Sequence, residues 1–401
     1  MSTTAKAHGM DGSLVDADWP PLELPEVRAL LSRYPGLGEP IEILSVSPRP
    51  FSAASVVATA GRRVFIKRHH RSVRDREGLL EEHRFMAHLR AHGAAVPEVY
   101  GAASGETAIE EREWTYEVHE APEGVDLYED ALSWTPFRTA THAYSAGQAL
   151  ARLHLAAQGF AAPRRKPRSL VASFTIFAAQ DPRAEIERYL AARPALMDFA
   201  GTRACCNGAL DLLAPFHAEL APLLPALEPL WTHNDLHASN LLWSDDTDNA
   251  QATAIIDFGL ADRTNAVHDL AHAIERNIVE WLVLAQGSEI RDQGSGDAKN
   301  VPVHLDHLDS LLAGYESVRP LSVEEAAALA PMTALCHAEF ALSETDYFLS
   351  VLHREDQAPM ACDGWLVGHA RWFRGPGGKL LEALHGWAAD RERKPQGDSR
   401  P

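Results

Sequence analysis

Apolar and polar residues alternate along the first part of the chain in the manner of β-strands. Segment 42–68 contains three strand-like runs, IEILSVS, SVVATA and VFIKR, with turn signals between them. The next apolar pattern, in 75–92, has helical spacing, and Gly93 follows where a helix typically stops. WTYEVHE, at 114–120, alternates again and predicts another strand. The front of the chain therefore predicts a small sheet with one helix.

Beyond residue 135 the apolar residues take up helical spacing. One interruption, at 240–258, has two apolar runs around an Asp- and Asn-rich turn and predicts a hairpin. The polar, Gly-rich segment 286–302 predicts a loop. The predicted helices are 137–158, 183–199, 203–224, 267–285, 304–315, 322–350 and 365–388.

Composition narrows the class of protein. With 46% apolar and 23% charged residues, the chain has the composition of an ordinary globular protein. A net charge of −19 opposes binding to nucleic acid, and no apolar run reaches the roughly 20 residues that a membrane span needs. The start, MSTTAKAHGMDG, lacks the apolar region of a secretory signal. The four cysteines are too few for a disulfide framework, so we expect reduced thiols and a cytoplasmic location.

The densest chemistry lies in WTHNDLHASNLLW, residues 231–243, where hydrogen-bonding side chains stand among residues that favour burial. Two interpretations compete. His233, Asp235 and His237 could form a metal site. Alternatively, Asp235 and Asn240 have the H-x-D-L-x-x-x-N spacing of a phosphoryl-transfer loop, in which the aspartate accepts a hydroxyl proton and the asparagine binds a metal ion.

Three residues elsewhere favour phosphoryl transfer. Asp257 begins a DFG tripeptide at the end of the predicted hairpin, so that it and Asn240 would supply Mg²⁺ with oxygen ligands at one end of the hairpin. Lys67 ends the strand VFIK, where a lysine can hold nucleotide phosphates. Glu82 shares a helix face with core residues, and we predict that it pairs with Lys67. The metal-site interpretation lacks an H-E-x-x-H motif and a third soft ligand, and it does not explain Lys67.

From about residue 40 to 350 the chain resembles the aminoglycoside phosphotransferase-like, or choline kinase-like, small-molecule kinases. Within that family, LLAGYESVRPLSVEEAAAL, at 311–329, is similar to the type II homoserine kinases. The segments that carry the resemblance are VFIKRHH, EEHRFMAHLRAHGAAVP, WTYEVHEAPEG, ALARLHLAAQGF, HNDLHASNLLW, IIDFGLA and HDLAHAI.

The resemblance implies an α+β fold with the two lobes of a protein kinase: an N-terminal antiparallel sheet plus a helix, and a larger, mainly helical C-terminal lobe. We assign residues 21–120 to the nucleotide-binding lobe and 121–387 to the catalytic and substrate lobe. Residues 1–20 would form a flexible tail and 388–401 a disordered one.

The resemblance also implies cofactors and contacts. ATP and Mg²⁺ are the expected cofactors, and the adenine would bond to backbone groups near Glu117, Val118 and His119. Asp269 matches a family position that braces the catalytic loop.

Three departures from the family pattern bear on function. Asn234 replaces the glycine of the usual H-G-D, and the loop SPRPFSAAS, at 47–55, has no glycine, so we expect Ser52 and Ser55 to flank the amides that cap the phosphates. No A-P-E sequence follows Asp257 before Asp269. The chain therefore has no room for the segment on which protein kinases lay a peptide, which favours a small substrate.

We expect an ATP- and Mg²⁺-dependent phosphotransferase that acts on a hydroxyl of a small, amine-bearing molecule, either a homoserine-like amino alcohol or an aminoglycoside, with Asp235 as the base. The alternatives are a bacterial stress-type protein kinase and a nucleotide-binding pseudokinase. We expect no nucleic-acid or membrane partner and a monomer or homodimer. The candidate binders for a cationic acceptor are Asp306, Asp309, Glu339, Glu344 and Asp346.

Overall fold

The computed structural model describes residues 6–8, 14–282 and 301–393 of the chain. Within these ranges an antiparallel sheet precedes a mainly helical remainder, so the predicted α+β class is confirmed. The strands are β1 (Lys6–His8), β2 (Leu14–Asp16), β3 (Pro40–Val46), β4 (Ala53–Thr59), β5 (Arg63–His70), β6 (Ala108–Glu111), β7 (Trp114–Glu120), β8 (Pro229–Thr232), β9 (Leu241–Trp243), β10 (Ala252–Ile255) and β11 (Asp262–Asn265).

Helices make up most of the chain after β7. The α-helices are α1 (Leu24–Leu31), α2 (Arg76–Ala91), α3 (Ala140–Ala157), α4 (Pro182–Ala191), α5 (Pro194–Asp198), α6 (Thr202–Leu220), α7 (Ala266–Ile278), α8 (Leu305–Glu316), α9 (Val323–Leu335), α10 (His337–Asp346), α11 (Gly368–Phe373) and α12 (Gly378–Arg393). Short 3₁₀ turns occur at Leu224–Ala226 and Ala238–Asn240, and wider π-helical turns at Tyr347–Val351 and Met360–Val367.

The five-stranded sheet, in the order β3-β4-β5-β7-β6, has two different faces. Successive side chains of a strand point to opposite faces, so Val64 and Ile66 share one face of β5 and Lys67 lies on the other. Val64 and Ile66 join an apolar core that includes Val27 and Leu30 of α1. The opposite face of the sheet, which carries Lys67, is therefore not covered by this core and is available for a functional site.

Two small antiparallel pairs hold the polar loop that the sequence singles out. Strands β9 and β10 form the predicted hairpin, with Leu241 opposite Ile255. Strand β8, which leads into the loop, pairs with β11, and Thr232 lies opposite Asp262. Both ends of the loop are therefore fixed by strand pairing.

Helices α3 and α8 approach each other unusually closely in the C-terminal part. Gly147 of α3 lies against the backbone of Leu311, and Gly314 of α8 lies against the backbone of Tyr144. A Cβ atom at either glycine would collide with a carbonyl oxygen of the other helix, so only glycine permits this approach.

Several predicted helices are divided in the structure. The predicted helix 183–199 consists of two helices, α4 and α5. Pro194 separates them, because it has no N–H to continue the hydrogen bonding of α4. The predicted helix 365–388 is interrupted around Gly375–Gly377, where the chain turns before α12 begins. The predicted helix 322–350 is divided at Cys336, and the predicted loop 286–302 falls outside the described residues except for its last two.

The predicted tails contain regular structure where they are described. Strands β1 and β2 pair within the predicted tail 1–20, and α12 continues to Arg393, past the predicted start of the second tail. The division into lobes itself stays a prediction. No helix among the described residues is long and apolar enough to cross a bilayer.

One expectation about the cysteines is wrong. Cys205 and Cys362 are joined as a disulfide, with their Cα atoms 6.1 Å apart, while Cys206 and Cys336 are free and buried. The sequence could not indicate this pair, because it depends on the packing of α6 against the turn at Met360–Val367.

Candidate active site

The candidate catalytic loop, residues 233–240, is held at its start by Asp269 of α7. The carboxylate of Asp269 accepts hydrogen bonds from the backbone N–H of His233 (2.8 Å) and Asn234 (2.7 Å) and contacts Nε2 of His154 at 3.0 Å. Burial raises the pKa of Asp269, but the bond with His154 and the neighbouring His233 outweigh it and lower the pKa to about 2. The expected bracing position of Asp269 is confirmed by these contacts.

Asn234 explains why the loop tolerates the loss of the family's glycine. Its φ is +60°, in the left-handed region that asparagine occupies more readily than other non-glycine residues. Its Oδ1 accepts hydrogen bonds from the hydroxyls of Thr232 (2.9 Å) and Thr264 (3.1 Å). The side chain therefore ties the loop to both β8 and β11, which glycine could not do.

Asp235 is held by two neighbours. Its carboxylate contacts the guanidinium of Arg276, a wholly buried residue of α7 that also donates to the carbonyl of Asn234 at 3.0 Å. The Nδ2 atom of Asn240 donates to the carbonyl (2.9 Å) and to Oδ2 (3.3 Å) of Asp235. The sequence analysis missed Arg276, since nothing in HDLAHAIER marks the arginine as a partner of the loop.

The hairpin brings the two predicted metal ligands to one end, as the spacing predicted. The backbone N–H of Ile256 donates to the carbonyl of Asn240 at 3.0 Å, which places Asp257 beside Asn240. Because the amide nitrogen of Asn240 is engaged by Asp235, its amide oxygen is the atom available to a cation. Asp257, with φ of +60°, turns out of the strand and is partly exposed.

Lys67 lies at the same point. Its Nζ donates to Oδ1 of Asp257 at 2.8 Å. Burial lowers the pKa of Lys67, but Asp257 and Glu117 outweigh it and raise that pKa. Burial raises the pKa of Asp257, and the ammonium of Lys67 reverses this, so its pKa lies below the usual range. Both groups are therefore charged at neutral pH.

The predicted pairing of Glu82 with Lys67 is wrong. Glu82 is buried on α2, and its Oε1 accepts hydrogen bonds from Nε of Arg74 (3.0 Å) and from Arg165 (2.5 Å). These two guanidinium groups pair with the carboxylate of Glu82, whereas Lys67 forms its salt bridge with Asp257. The inward position of Glu82 followed from helical spacing, but Arg165 comes from a distant segment that the spacing could not reveal.

Only one of the two predicted serines reaches the cavity described below. Ser52 lies in the turn between β3 and β4 and lines it. Ser55 is opposite Ile66, and cross-strand partners share a sheet face, so it lies in the core under α1. Ser55 therefore cannot cap phosphates beside Lys67, which is opposite Ala54.

The predicted adenine contacts at Glu117, Val118 and His119 are also wrong. On one edge these residues pair with β5, and on the other the carbonyl of Val118 accepts the N–H of Tyr100 at 2.8 Å. The side chain of Glu117 is buried among histidines. The chain leaves the sheet only after Glu120, and residues 121–124 form the connection to the helical part.

Several of the predicted site residues line one open cavity of about 150 Å³. Its lining includes Lys67, Asp235, Asn240 and Asp257 together with the loop around Arg49. Arg49 was missed by the sequence analysis. Burial lowers the pKa of Arg49, and the neighbouring carboxylates of Asp126 and Asp257 oppose this only in part.

Of the five predicted cation binders, Glu344 alone lines this cavity. Asp306 and Asp309 are exposed on α8. Glu339 is occupied by the backbone N–H groups of Thr175 and Ile176, and Asp346 by the hydroxyl of Ser169 at 2.6 Å. These four carboxylates have structural or surface positions.

Glu344 is buried beside the cavity with an unsatisfied oxygen. Its Oε2 has no hydrogen-bond partner among the described residues. Burial raises the pKa of Glu344 to about 8, and the nearby Arg276 opposes this only in part. A carboxylate in this state gains free energy from a cation that enters the cavity.

The competing metal interpretation of the loop fails on its contacts. His233 accepts the N–H of Asp235 with Nδ1 and contacts the carbonyl of Ile256 with Nε2 at 2.9 Å. His237 contacts the hydroxyl of Ser239 at 3.0 Å. His233 therefore has no free nitrogen for a metal ion.

The segment after the DFG tripeptide is as short as the sequence suggested. Strand β11 begins at Asp262 and pairs with β8, and α7 starts at Ala266. Nothing between them extends over the cavity as a surface for a peptide.

Comparison with known proteins agrees with this geometry. A model of the phosphotransferase enzyme family matches residues 50–321. A homoserine kinase of Azorhizobium caulinodans is 28% identical over 213 residues, which are 53% of this chain and 54% of that protein. The chain thus matches about half the length of this curated relative.

Solved structures share the fold at low sequence identity. An aminoglycoside phosphotransferase from Alicyclobacillus acidocaldarius superimposes with a TM-score of 0.51 at 16% identity, covering 94% of this chain and 98% of the other. A microcompartment-associated aminopropanol kinase gives a TM-score of 0.56 at 17% identity, covering 90% and 99%. These likenesses support a kinase-like fold.

Proposed function

Because the chain belongs to the phosphotransferase enzyme family and is a kinase, we propose that it transfers the γ-phosphoryl group of ATP to a hydroxyl of a small, amine-bearing molecule. The observation that carries the proposal is the single cavity that joins Lys67, Asp235, Asn240 and Asp257. Phosphoryl transfer needs a cation at the phosphates, oxygen ligands for a metal ion and a base near the acceptor hydroxyl. These four side chains supply all three.

Asp235 acts as the base. As the acceptor oxygen forms its bond to the γ-phosphorus and the bond to the leaving oxygen of ADP breaks, the hydroxyl proton passes to the carboxylate of Asp235. Arg276 and Asn240 fix the orientation of this carboxylate. Asp269 fixes the backbone on which it stands.

Asn240 and Asp257 fit a magnesium site. They offer one amide oxygen and one ionised carboxylate at the same end of the hairpin, and Mg²⁺ favours one or two hard oxygen ligands together with phosphates and water. When bound, Mg²⁺ would neutralise phosphate charge. Lys67 adds a positive charge beside this pair, and Arg49 and Ser52 extend the phosphate surface along the turn between β3 and β4.

We place the adenine at the connection 121–124 rather than at Glu117, Val118 and His119. The backbone of the connection lies beyond the sheet pairing and is the first backbone after β7 that does not belong to it. Residues 21–120 then contribute Lys67 and the turn between β3 and β4 to the phosphates, whereas the adenine connection, the catalytic loop and the acceptor fall within residues 121–387. The cytoplasmic location and the monomeric or homodimeric state stay predictions.

Glu344 supports an amine on the acceptor. It lines the same cavity as Asp235, and the unsatisfied oxygen is suited to an ammonium group. A homoserine-like amino alcohol is the first choice because of the resemblance at 311–329 and the homoserine kinase relative. An aminoglycoside or amino sugar is the second choice.

A coupled assay of ADP release over a panel of acceptors tests the proposal. The panel contains homoserine, aminopropanol, ethanolamine, choline, aminoglycosides, neutral sugars and casein. We expect turnover with an amine-bearing alcohol and none with casein. Turnover confined to neutral sugars would contradict the amine, phosphorylation of casein alone would favour the stress-type protein kinase, and nucleotide binding without turnover on any acceptor would favour the pseudokinase.

A further inference from the structure

A second cluster of reactive side chains lies among the helices, outside the lining of the cavity. His272 and Glu275 lie on α7 at a spacing of three, which places them on one helix face. Cys336 and His337 lie at the junction of α9 and α10, and His369 lies in α11. All five are buried, with at most 5% of any residue exposed.

Most polar atoms of this cluster have no partner among the described residues; the exception is Sγ of Cys336, which donates to the carbonyl of Thr333 at 3.5 Å. Both ring nitrogens of His272, His337 and His369 and both carboxylate oxygens of Glu275 make no hydrogen bond to any described residue. Buried polar groups in native proteins almost always have a partner, because leaving them bare costs free energy. Because each neutral imidazole has one lone pair and one N–H, the three rings and the carboxylate place several bare lone pairs together, which indicates a missing ligand that accepts them.

The distances identify the kind of ligand. Oε1 of Glu275 lies 3.5 Å from Nδ1 of His337 and 3.7 Å from Nδ1 of His369. These separations exceed a hydrogen bond, for which about 2.7–3.2 Å is usual. Two ligands bound tetrahedrally to one ion at about 2.1 Å lie about 3.4 Å apart. Both separations fit ligands of a common ion, and one ligand atom from each of the three residues lies within 4.8 Å of the other two.

We propose that Glu275, His337 and His369 bind a structural Zn²⁺ ion. His272 and Cys336 lie on the same carboxylate, with their ligand atoms and that of Glu275 all within 4.8 Å of one another, and are the donors available for a fourth position. Imidazole, carboxylate and thiolate together are the ligands of zinc, whereas Mg²⁺ and Ca²⁺ select oxygen. The proposal does not depend on the proposed function.

Two other groups of similar residues lack these properties. His83 and His119 surround Glu117, but each is hydrogen bonded to that carboxylate, at 2.8 and 2.9 Å, and no unpartnered atom remains on Glu117. In the group His304, Asp306 and His307 only His307 is buried, with one unpartnered ring nitrogen, while Asp306 is exposed and His304 contacts Glu280 at 2.8 Å. The cluster at Glu275 is distinguished by burial and by unpartnered atoms together.

The proposed ion would connect the helices that support the catalytic loop. It joins α7 to the α9–α10 junction and to α11. Helix α7 also carries Asp269 and Arg276, which hold the loop. Zinc at Glu275 would therefore fix the helix from which the loop is braced.

The metal content of the purified, untagged chain is the first test. After incubation with excess Zn²⁺ and gel filtration, mass spectrometry of the metal should find about one Zn²⁺ per chain. Changes outside the ligand sphere already cost about 10–100-fold in affinity, so the double variant Glu275→Gln, His369→Gln should lose at least about 100-fold. His304→Gln, which removes a ligand from the surface group, is the matched control and should retain the zinc.

Absence of bound zinc in the wild type, or equal zinc in the wild type and the double variant, would overturn the site. Loss of zinc in His304→Gln alone would place the ion at the surface and would overturn it as well. A different first-row metal at one equivalent would overturn the choice of zinc.

Measurements on the wild type alone test the site even if the double variant does not fold. Removing the metal with dipicolinate should lower the melting temperature, and adding Zn²⁺ back should restore it, since the ion binds the folded state. Replacement by Co²⁺ should give the visible absorption bands of a tetrahedral site. An unchanged melting temperature together with no cobalt spectrum would contradict the proposal. Neither readout requires catalytic activity, so failure here leaves the kinase assignment intact.

Discussion

At the scale of single residues, the catalytic loop depends on side chains that come from outside it. Asp269 holds the backbone of His233 and Asn234, and Arg276 holds the carboxylate of Asp235. The proposed base is therefore placed by two positions of α7 that lie two helical turns apart. This arrangement keeps Asp235 at the cavity even though its loop has no regular structure beyond a single 3₁₀ turn.

Replacing Asp235 by asparagine should remove the base while keeping the shape of the loop. We expect kcat to fall by roughly 10²–10⁴-fold with nearly normal ATP binding, because general base catalysis contributes about that much. Steady-state kinetics and calorimetry measure the two effects. Asp306→Asn, on the exposed side of α8, is the control and should behave as the wild type. Turnover near the wild-type value in Asp235→Asn would remove this residue from the role.

Glu344 gives a prediction about pH. Burial raises its pKa from an ordinary 4.5 to about 8 in the folded state, so folding favours the protonated form. The contribution of Glu344 to stability is complete below pH 4.5 and is lost as the pH rises through 8. Denaturant unfolding of the wild type and Glu344→Gln should therefore give a difference that grows in favour of the variant between these values. A difference between the wild type and Glu344→Gln that stays flat over this range would disprove the raised pKa.

The sequence predicted single residues well where chemistry and spacing are local. Asp235, Asn240 and Asp257 meet because one loop and one hairpin carry them. Glu82 faces inward, as predicted. Its partners were not predicted, because Arg165 approaches from a segment far along the chain. Ser55 was misplaced because the register of β4 against β5, which decides the face, leaves no mark in the sequence.

At the scale of elements, the contact between α3 and α8 sets the frame behind the loop. His154 of α3 connects the hydroxyl of Tyr315 on α8 (2.7 Å) with Asp269 (3.0 Å), so the spacing of these helices reaches the catalytic loop. Gly147 and Gly314 determine that spacing, because each lies against the backbone of the other helix.

Gly147→Ala should destabilise the protein although alanine is the better helix former. Its Cβ would collide with the carbonyl of Leu311, and overpacking of this kind costs about 1–3 kcal/mol. Gly208→Ala is the matched control: it lies in α6 with open space around it, and should be neutral or stabilising by up to about 1 kcal/mol. Denaturant unfolding measures both, and equal effects of the two substitutions would show that the close approach is absent.

The elements themselves were predicted to different degrees. Apolar spacing located the sheet, the hairpin and most helices, because burial on one face imposes the period. It did not show that Pro194 divides one predicted helix, since proline is also tolerated in the first turn of a helix, as it is in α5. Nor could it pair Cys205 with Cys362, which only the packed helices bring together.

At the scale of the whole molecule, the site is assembled from both halves of the chain. Lys67 comes from the sheet, Asp257 from the hairpin, and Asp235 and Glu344 from the helical part, and all four line one cavity. The salt bridge between Lys67 and Asp257, at 2.8 Å, joins the sheet to the hairpin directly. A magnesium nucleotide at this point would bind both halves and stabilise them together.

That linkage gives a prediction for the intact protein. Asp257 is ionised at neutral pH because Lys67 lowers its pKa, so it is ready to bind Mg²⁺ beside Asn240. A ligand that binds only the folded state at about 100 times its Kd stabilises it by about 2.7 kcal/mol. We therefore expect ATP with Mg²⁺ to raise the melting temperature of the wild type well above the effect of ATP alone. In Asp257→Ala the effect of Mg²⁺ should disappear.

The control separates metal binding from general charge. Asp309→Ala removes an exposed carboxylate of α8 and changes the net charge by the same amount, so it should keep the full response to Mg²⁺. If Asp257→Ala keeps the response as well, the hairpin does not hold the metal ion. Loss of the response in both variants would show that the long-range charge of an acidic protein, rather than a ligand at the hairpin, attracts Mg²⁺. Only a loss of the Mg²⁺ response that is confined to Asp257→Ala agrees with a cavity in which residues of the sheet and of the hairpin bind one magnesium nucleotide.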